Sequence, residues 1–564
     1  MLIGSIRKLQ RMSVILLCTA LCMLFTLSCT IKRIDESRAI VKTMTIKEKI
    51  GQMIMIGVPG ARHTDRSERI LRKYLPGGII LFGFNLSDEK GTRKFIEDLQ
   101  STSMKYSGIP LFVSIDQEGG RVKRIVDGVT QFPGNMAIGV VDDEGLTADL
   151  ASIIGIQLRL LGINMNLAPV VDVNNNPANP VINTRSFGSS PDVVMRMAIA
   201  YVEGLQRSRC IAVAKHFPGH GDTDKDSHIT LPVLPHRLQR LKEVELKPFV
   251  AAIDADVEAI MTAHIAYPKV LGNNLPVTVS PLFLRDILRQ ELEFEGIIIT
   301  DDMEMDAISR YIDLGEAAVQ SIRAGADIVL ISTHGYHVPL IVKSIEKALQ
   351  EGRLTEKRLD DSVTKIVELK LRYKIMDLVK GLITPSRITF TENEHKLLSE
   401  SEKINEKISR EAIYFHGAAH SVLPTSRSGD RSIFITDDSL LTGEISRVLA
   451  KAKIVKNGAH FIRFCNSHLK VKSSREESVS EVTVFYHVEK LNRRELLRMI
   501  AYTERHRMRL TIVCTGNPFI LSGISSLPPA LFSFSNTACS KRAIIRCLRG
   551  DYSPRTKINI NLGF

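Results

Sequence analysis

Eight short apolar runs, separated by longer stretches of helical pattern, recur between about residue 50 and residue 335. They are QMIMIGV (52–58), GGIILF (77–82), LFVSI (111–115), INMNLAP (163–169), CIAVAKHF (210–217), EAIMTAHI (258–265), GIIIT (296–300) and DIVLIS (327–332). Runs this short and this apolar read as strands buried on both faces. Several intervening segments, Asp192–Arg207 and Leu282–Leu292 among them, carry an amphipathic helical period. Alternating strands and helices predict a parallel sheet. Eight such units over residues 30–380 predict an α/β fold of the TIM (β/α)8 barrel type. An open doubly wound sheet would share the pattern.

The chain has 564 residues, more than one hydrophobic core commonly serves. Residues 381–398, GLITPSRITFTENEHKLL, read as a linker entering a helix. Beyond it, over 399–564, SIFITDD, KIVK, VTVFYH, LTIVCTG and ALFSFS alternate with helical segments at 493–507 and 540–549. This predicts a smaller α/β (αβα) sandwich domain, with the tail RTKININLGF as a final edge strand.

Residues 1–29 form a separate unit. Arg7, Lys8 and Arg11 precede the apolar run SVILLCTALCMLFTLS, which ends at Cys29. A basic segment followed by an apolar one of this length is a secretory signal pattern. Ser28 before Cys29 resembles a bacterial lipoprotein cleavage site, which makes Cys29 the expected lipid attachment point. The expectation is an exported protein held at a membrane by its N-terminal lipid or anchor. The formal charge of +13 favours anionic surroundings, but Lys and Arg are spread along the chain and no nucleic-acid motif is present. Cysteine spacing shows no CxxC pair, and Cys210 sits in a strand-like run suited to the core.

Polar and charged residues follow the strands. The third is followed by DQEGGRVKR (116–124), the fourth by PVVDVNNNP and NTRSFG (183–188), and the seventh runs into TDDMEMDAI. The fifth runs into KHFPGHGDTDKDSH (215–228). In a barrel these positions converge on the C-terminal face, where active sites lie. His216 and His220 have the spacing of a helical zinc pair, but Pro218, Gly219 and Gly221 make the segment a loop. No phosphate loop, dinucleotide fingerprint or metal set is present, so no cofactor is implied.

These four motifs, in this order, resemble glycoside hydrolase family 3, and within it the bacterial β-N-acetylglucosaminidases of the two-domain, exported type. The resemblance implies Asp301 as a carboxylate nucleophile, with Asp302 as the adjacent rival. It implies His228, oriented by Asp226, as the acid/base group. Residues i and i+2 of an extended loop project to one side, so Asp226 can reach a ring nitrogen of His228 and fix its tautomer. Asp116, Arg124, Arg185, Lys215 and His216 are implied sugar contacts, with a structural ion pair as the alternative for Arg185 or Lys215. His220 and Asp222 would shape the loop. His264 is either a pocket residue or a satisfied core histidine, and Asn164 and Asp172 lie near the rim without an assigned role.

The implied activity is a retaining, exolytic release of N-acetylglucosamine from a carbohydrate, with peptidoglycan fragments as its source outside the cytoplasm. Three alternatives remain at this point: a phosphorylase, which a histidine acid/base permits because it does not repel phosphate; a β-glucosidase; and a silent glycan-binding lipoprotein. A substrate-assisted mechanism would need a paired Asp and Glu, for which Glu304 is the available partner.

Overall fold

The computed structural model describes residues 31–376, 390–417, 432–448, 453–457, 460, 462, 483–489, 493–506, 508–522, 524, 527–558 and 560–562. The signal-like segment 1–29, Cys29, and residues 381–389 of the expected linker lie outside the described residues. Among the described residues, no helix is long and apolar enough to cross a membrane.

All eight expected strands form: β1 (Ile54–Gly57), β2 (Gly78–Leu81), β3 (Phe112–Ile115), β4 (Met165–Asn166), β5 (Ile211–Phe217), β6 (Ala259–Thr262), β7 (Ile297–Ile299) and β8 (Val329–Ile331). They pair in parallel, in the order β7-β6-β5-β4-β3-β2-β1-β8. A parallel bridge between Ile299 and Ile328 joins the two ends, so the sheet is a barrel and the open-sheet alternative falls. Every residue of these strands is buried, as expected where helices cover the outside and side chains fill the inside.

β4 keeps only two residues of the run INMNLAP, and asparagine side chains add to its backbone ladder. Asn164 Oδ1 accepts from Val113 N at 2.9 Å, and Asn166 Oδ1 accepts from Gln117 N at 3.0 Å. Asn164 therefore stitches the start of the strand, away from the rim where the sequence suggested it. The segment Leu282–Glu291 winds as a π-helix rather than an α-helix. Its buried residues Phe283, Leu284, Ile287 and Leu288 present one apolar face under either winding, so periodicity alone does not separate the two.

The second sheet has the order β11-β10-β12-β13-β14-β9. β10 (Ser432–Ile435), β11 (Lys453–Val455), β12 (Thr483–Val488), β13 (Arg509–Cys514) and β14 (Ala530–Phe532) are the five expected strands. The sixth, β9 (Tyr414–His416), pairs antiparallel with β14; three residues are too few to show a pattern. Among the described residues, the tail forms no edge strand: Arg555 alone bridges to Tyr414, after which Ile560 and Leu562 are buried and Asn561 N donates to Ser189 Oγ of the barrel at 2.8 Å. Its alternating apolar residues serve the interface between the domains instead of a sheet.

A helix, Glu392–Glu411, starts inside the segment read as linker because Thr391 and Glu394 form a capping box there. It ties the two parts together: Arg159 of the barrel pairs with Glu394 at 2.9 Å, and Thr130 Oγ1 donates to Ser401 Oγ at 3.0 Å. Cys210, Cys514, Cys539 and Cys547 are buried free thiols, and burial pushes the Cys210 thiol up to about 12.

Candidate active site

The loops after the barrel strands enclose a cavity of about 380 Å³. Asp116, Arg124, Arg185, Lys215, His216, Asp226, His228 and Asp301 all line it. The structure thus gathers all eight residues implied as catalytic or sugar-contacting around one opening, whereas Asn164, Asp172, Asp222 and His264 lie outside its lining.

The end of β5 supplies Lys215 and His216. Lys215 is 2% exposed, and its Nζ lies 2.7 Å from Asp116 Oδ1 and 2.8 Å from Glu118 Oε1. Arg185 engages both oxygens of Glu118, Nε at 2.9 Å and Nη2 at 2.8 Å. Glu118 was not anticipated, yet it holds two cations in the cavity wall. Burial would raise its pKa, but the charges of Arg185 and Lys215 outweigh that and hold it far below the carboxylate range. A signal was present: Glu118 stands two residues after Asp116 in DQEGG, on the same side of an extended strand end. Arg124 reaches Asp116 more loosely, at 3.3 Å.

His216 is fixed by a buried aspartate at the end of the β4 segment. Its Nδ1 is 2.7 Å from Asp172 Oδ2, and its Nε2 is 3.3 Å from Arg185 Nη2. A carboxylate only accepts, so His216 Nδ1–H donates to Asp172, and Nε2 faces the Arg185 guanidinium. Asp172 Oδ1 also accepts from the backbone N–H of His216 and of His220, at 3.2 and 2.7 Å. Asp172 thereby pins the start of the acid/base loop, a role that spacing across 44 residues does not reveal.

Two glycines let that loop pack closely. A Cβ on Gly221 would stand 1.8 Å from Val173 O, and Gly219 has φ +133° with Glu245 beneath it. His220, fully buried, sits between Thr223 Oγ1 and Ser227 Oγ, each at 2.9 Å. Burial, with His216 nearby, pushes its pKa down to about 4, so it is neutral and braces Ser227 between Asp226 and His228. Asp222, His236 and Glu245 bring one potential metal-ligand atom each within 4.8 Å of one another. All three are already paired: His236 with Asp222 at 2.6 Å, and Glu245 with Arg240 at 2.9 Å and Asn175 at 3.3 Å. They support the outer side of the same loop.

The Asp226–His228 contact forms, by a different route from the one expected. The loop turns here rather than extending. Asp226 Oδ1 accepts from His228 N at 2.9 Å and meets His228 Nδ1 at 2.7 Å, while Asp226 O accepts from the N–H groups of Ile229 and Thr230 at 3.0 Å. A carboxylate two residues before a turn can hold backbone and ring together. Burial would lift the Asp226 carboxyl; the backbone N–H and ring of His228 outweigh it and lower its pKa. The His228 side chain is 63% exposed, and its Nε2 has no hydrogen-bond partner among the described residues.

Asp301 stands at the end of β7, on the floor. Burial opposes its charge, but His216, His264, the N–H of Asp302 at 2.8 Å and Lys215 together lower its pKa. Asp302 differs. Burial pushes its pKa up to about 6, and its Oδ1 turns toward β8 to accept from Glu304 N and Ser332 N at 3.1 and 3.2 Å. Glu304 faces away, taking Thr333 N at 2.7 Å and contacting His337, which removes it as the partner of a substrate-assisted mechanism. His264 is the satisfied core histidine of the two readings. It is fully buried, with Nδ1 2.8 Å from Thr278 Oγ1, and its Nε2–H donates to Asp302 O at 3.0 Å.

A parallel barrel carrying a polar cavity, an ionised carboxylate on its floor and a carboxylate–histidine pair at its rim has the nucleophile and proton donor that a retaining glycoside hydrolase needs. Residues 45–369 match the Glycosyl hydrolase family 3 N terminal domain, more than half of the chain, and the protein belongs to that family. It is 36% identical over 332 residues to beta-hexosaminidase A of Pseudoalteromonas piscicida, covering 54% of each chain; the chain thus spans about half the length of that relative. It is 31% identical over 325 residues to a beta-hexosaminidase of Nitrosomonas eutropha, covering 56% of this chain and 91% of the relative. Among solved structures, the glycoside hydrolase family 3 beta-N-acetylglucosaminidase from Paenibacillus sp. str. FPU-7 is similar over 92% of this chain and 99% of that one. The TM-score is 0.81 at 31% identity.

Proposed function

We propose that the protein is a retaining, exolytic β-N-acetylglucosaminidase. The observation that carries this reading is the 2.7 Å Asp226–His228 pair on the rim of the cavity that holds ionised Asp301 on its floor. The names of the relatives above support the acetamido sugar. In the first step an Asp301 carboxylate oxygen attacks the anomeric carbon. The glycosidic C–O bond breaks, and the proton on His228 Nε2 passes to the departing oxygen. In the second step water gives a proton back to Nε2 and its oxygen attacks the same carbon, releasing Asp301 and retaining the anomeric configuration. Asp116 and Arg124 contact the sugar hydroxyls; Arg185, Lys215 and His216, locked to one another through Glu118 and Asp172, form a charged wall beside it. The chemistry needs no cofactor.

Asp226→Asn separates this pair from a surface contact. Activity on a substrate with a poor leaving group should fall about a hundredfold, while a dinitrophenyl glycoside, which departs without protonation, should lose far less. Equal losses on both would remove the acid/base assignment. Adding inorganic phosphate in the same assay separates hydrolysis from phosphorolysis: the product is free N-acetylglucosamine on this reading and its 1-phosphate on the alternative.

The segment ahead of Cys29 supports a further part of the proposal, that the enzyme is exported as a membrane-bound lipoprotein and takes peptidoglycan fragments as substrate. Labelling cells with radioactive palmitate should mark the protein, and Cys29→Ala should abolish the label. An unlabelled native protein would withdraw the lipid anchor.

A further inference from the structure

The reaction proposed above places one sugar on the cavity floor, so whatever that sugar is joined to lies at the rim. There the loop after β2 displays Phe84, 55% exposed. This ring is held out, not left loose. Asn85 next to it is fully buried; its Oδ1 accepts from Phe82 N at 2.9 Å, and its Nδ2 donates to Val58 O and Gly60 O at 2.9 and 2.6 Å. Those bonds lock the turn Gly83–Asn85 and fix the direction of Phe84. Its ring stacks on Phe82, centroids 5.6 Å apart and planes 13° from parallel, and Phe82 itself lines the cavity. From the loop after β8, His334 packs edge-on against Phe84 at 5.4 Å, two residues beyond the cavity residue Ser332.

His334 is in an unusual state. Its φ is +24°, in the left-handed region, and its Nδ1 is buried without a hydrogen-bond partner among the described residues. Backbone strain and an unsatisfied buried nitrogen both cost stability and concentrate at binding sites. A rigid, exposed aromatic face forgoes the stabilisation that burial would bring. A pyranose ring offers that face a layer of C–H groups while its hydroxyls stay in water, the kind of amphipathic fit aromatic side chains provide.

We propose that Phe84, backed by Phe82 and braced by His334, is the platform for the second sugar ring, on the leaving-group side of the scissile bond. The substrate class is then a β-linked oligosaccharide whose penultimate residue is a pyranose, in preference to simple alkyl glycosides. This inference rests on the hydrolytic reading of the site.

The test compares N,N′-diacetylchitobiose with methyl β-N-acetylglucosaminide on wild type, Phe84→Ala and Phe84→Trp. Phe84→Ala should lower the ratio of kcat/KM for disaccharide over methyl glycoside about tenfold, and Phe84→Trp should restore it. A ratio unchanged in Phe84→Ala overturns the platform, as does a decline on both substrates alike. Wild-type silence on both sugars overturns the activity itself and the inference with it, and is distinguished from the other outcomes because it precedes any substitution.

Discussion

Asp301→Asn should lower kcat/KM for a β-N-acetylglucosaminide by at least about a thousandfold, the order expected when a covalent nucleophile is removed. The substitution is nearly isosteric, so the cavity keeps its shape. It removes a charge that the surroundings favour on balance, since Asp301's pKa is lowered despite burial. A small fall in the denaturation midpoint is therefore expected, and activity is read at a temperature where the variant stays folded. Asp302→Asn supplies the contrast. Its Oδ1 already accepts the N–H groups of Glu304 and Ser332, and an amide oxygen can accept both, so the loss should be about tenfold or less. Intact-mass measurement of acid-quenched wild type should show an added N-acetylglucosaminyl group that Asp301→Asn never acquires. Were Asp302→Asn the inactive variant, the assignment would pass to the neighbouring carboxylate.

The barrel was legible because its strands are buried on both faces, which writes each as an unbroken apolar run, Ile297–Ile299 being the plainest. The end of each run then marked where to look for chemistry, and the eight residues implied as catalytic or sugar-contacting all line the cavity. Pairings across loops were not legible. Asp172 meets His216 and Arg185 meets Glu118 from segments 44 and 67 residues apart, and nothing in either segment specifies its partner. Local geometry was half legible: Asp226 and His228 touch as their spacing suggests, but through a turn whose backbone bonds to Asp226 O no two-residue rule contains. The tail shows the opposite failure. Its alternation is real, and the surface that takes Ile560 belongs to another domain.

Glu118→Gln should be the most destabilising single substitution in the site. Glu118 is 2% exposed and accepts from Lys215 and doubly from Arg185. An amide keeps the volume but offers one acceptor oxygen and no charge, leaving two buried cations with Asp116 as the nearest anion. Breaking a buried pair from one side costs about 3–5 kcal/mol, to be read as a drop in the denaturation midpoint at neutral pH. The pH dependence supplies a second readout with a definite sign. A carboxyl whose folded pKa is depressed contributes stability that is fully present above its ordinary value of 4.5 and is lost as pH falls below it. Wild type should therefore lose stability steeply on acidification from that point, and Glu118→Gln should lose less over the same range. Equal slopes would mean that the two cations find other partners when Glu118 is protonated. If the midpoint does fall as expected, activity should fall with it even at temperatures where the variant stays folded, because Lys215 and Arg185 would no longer be held in the wall that faces the sugar.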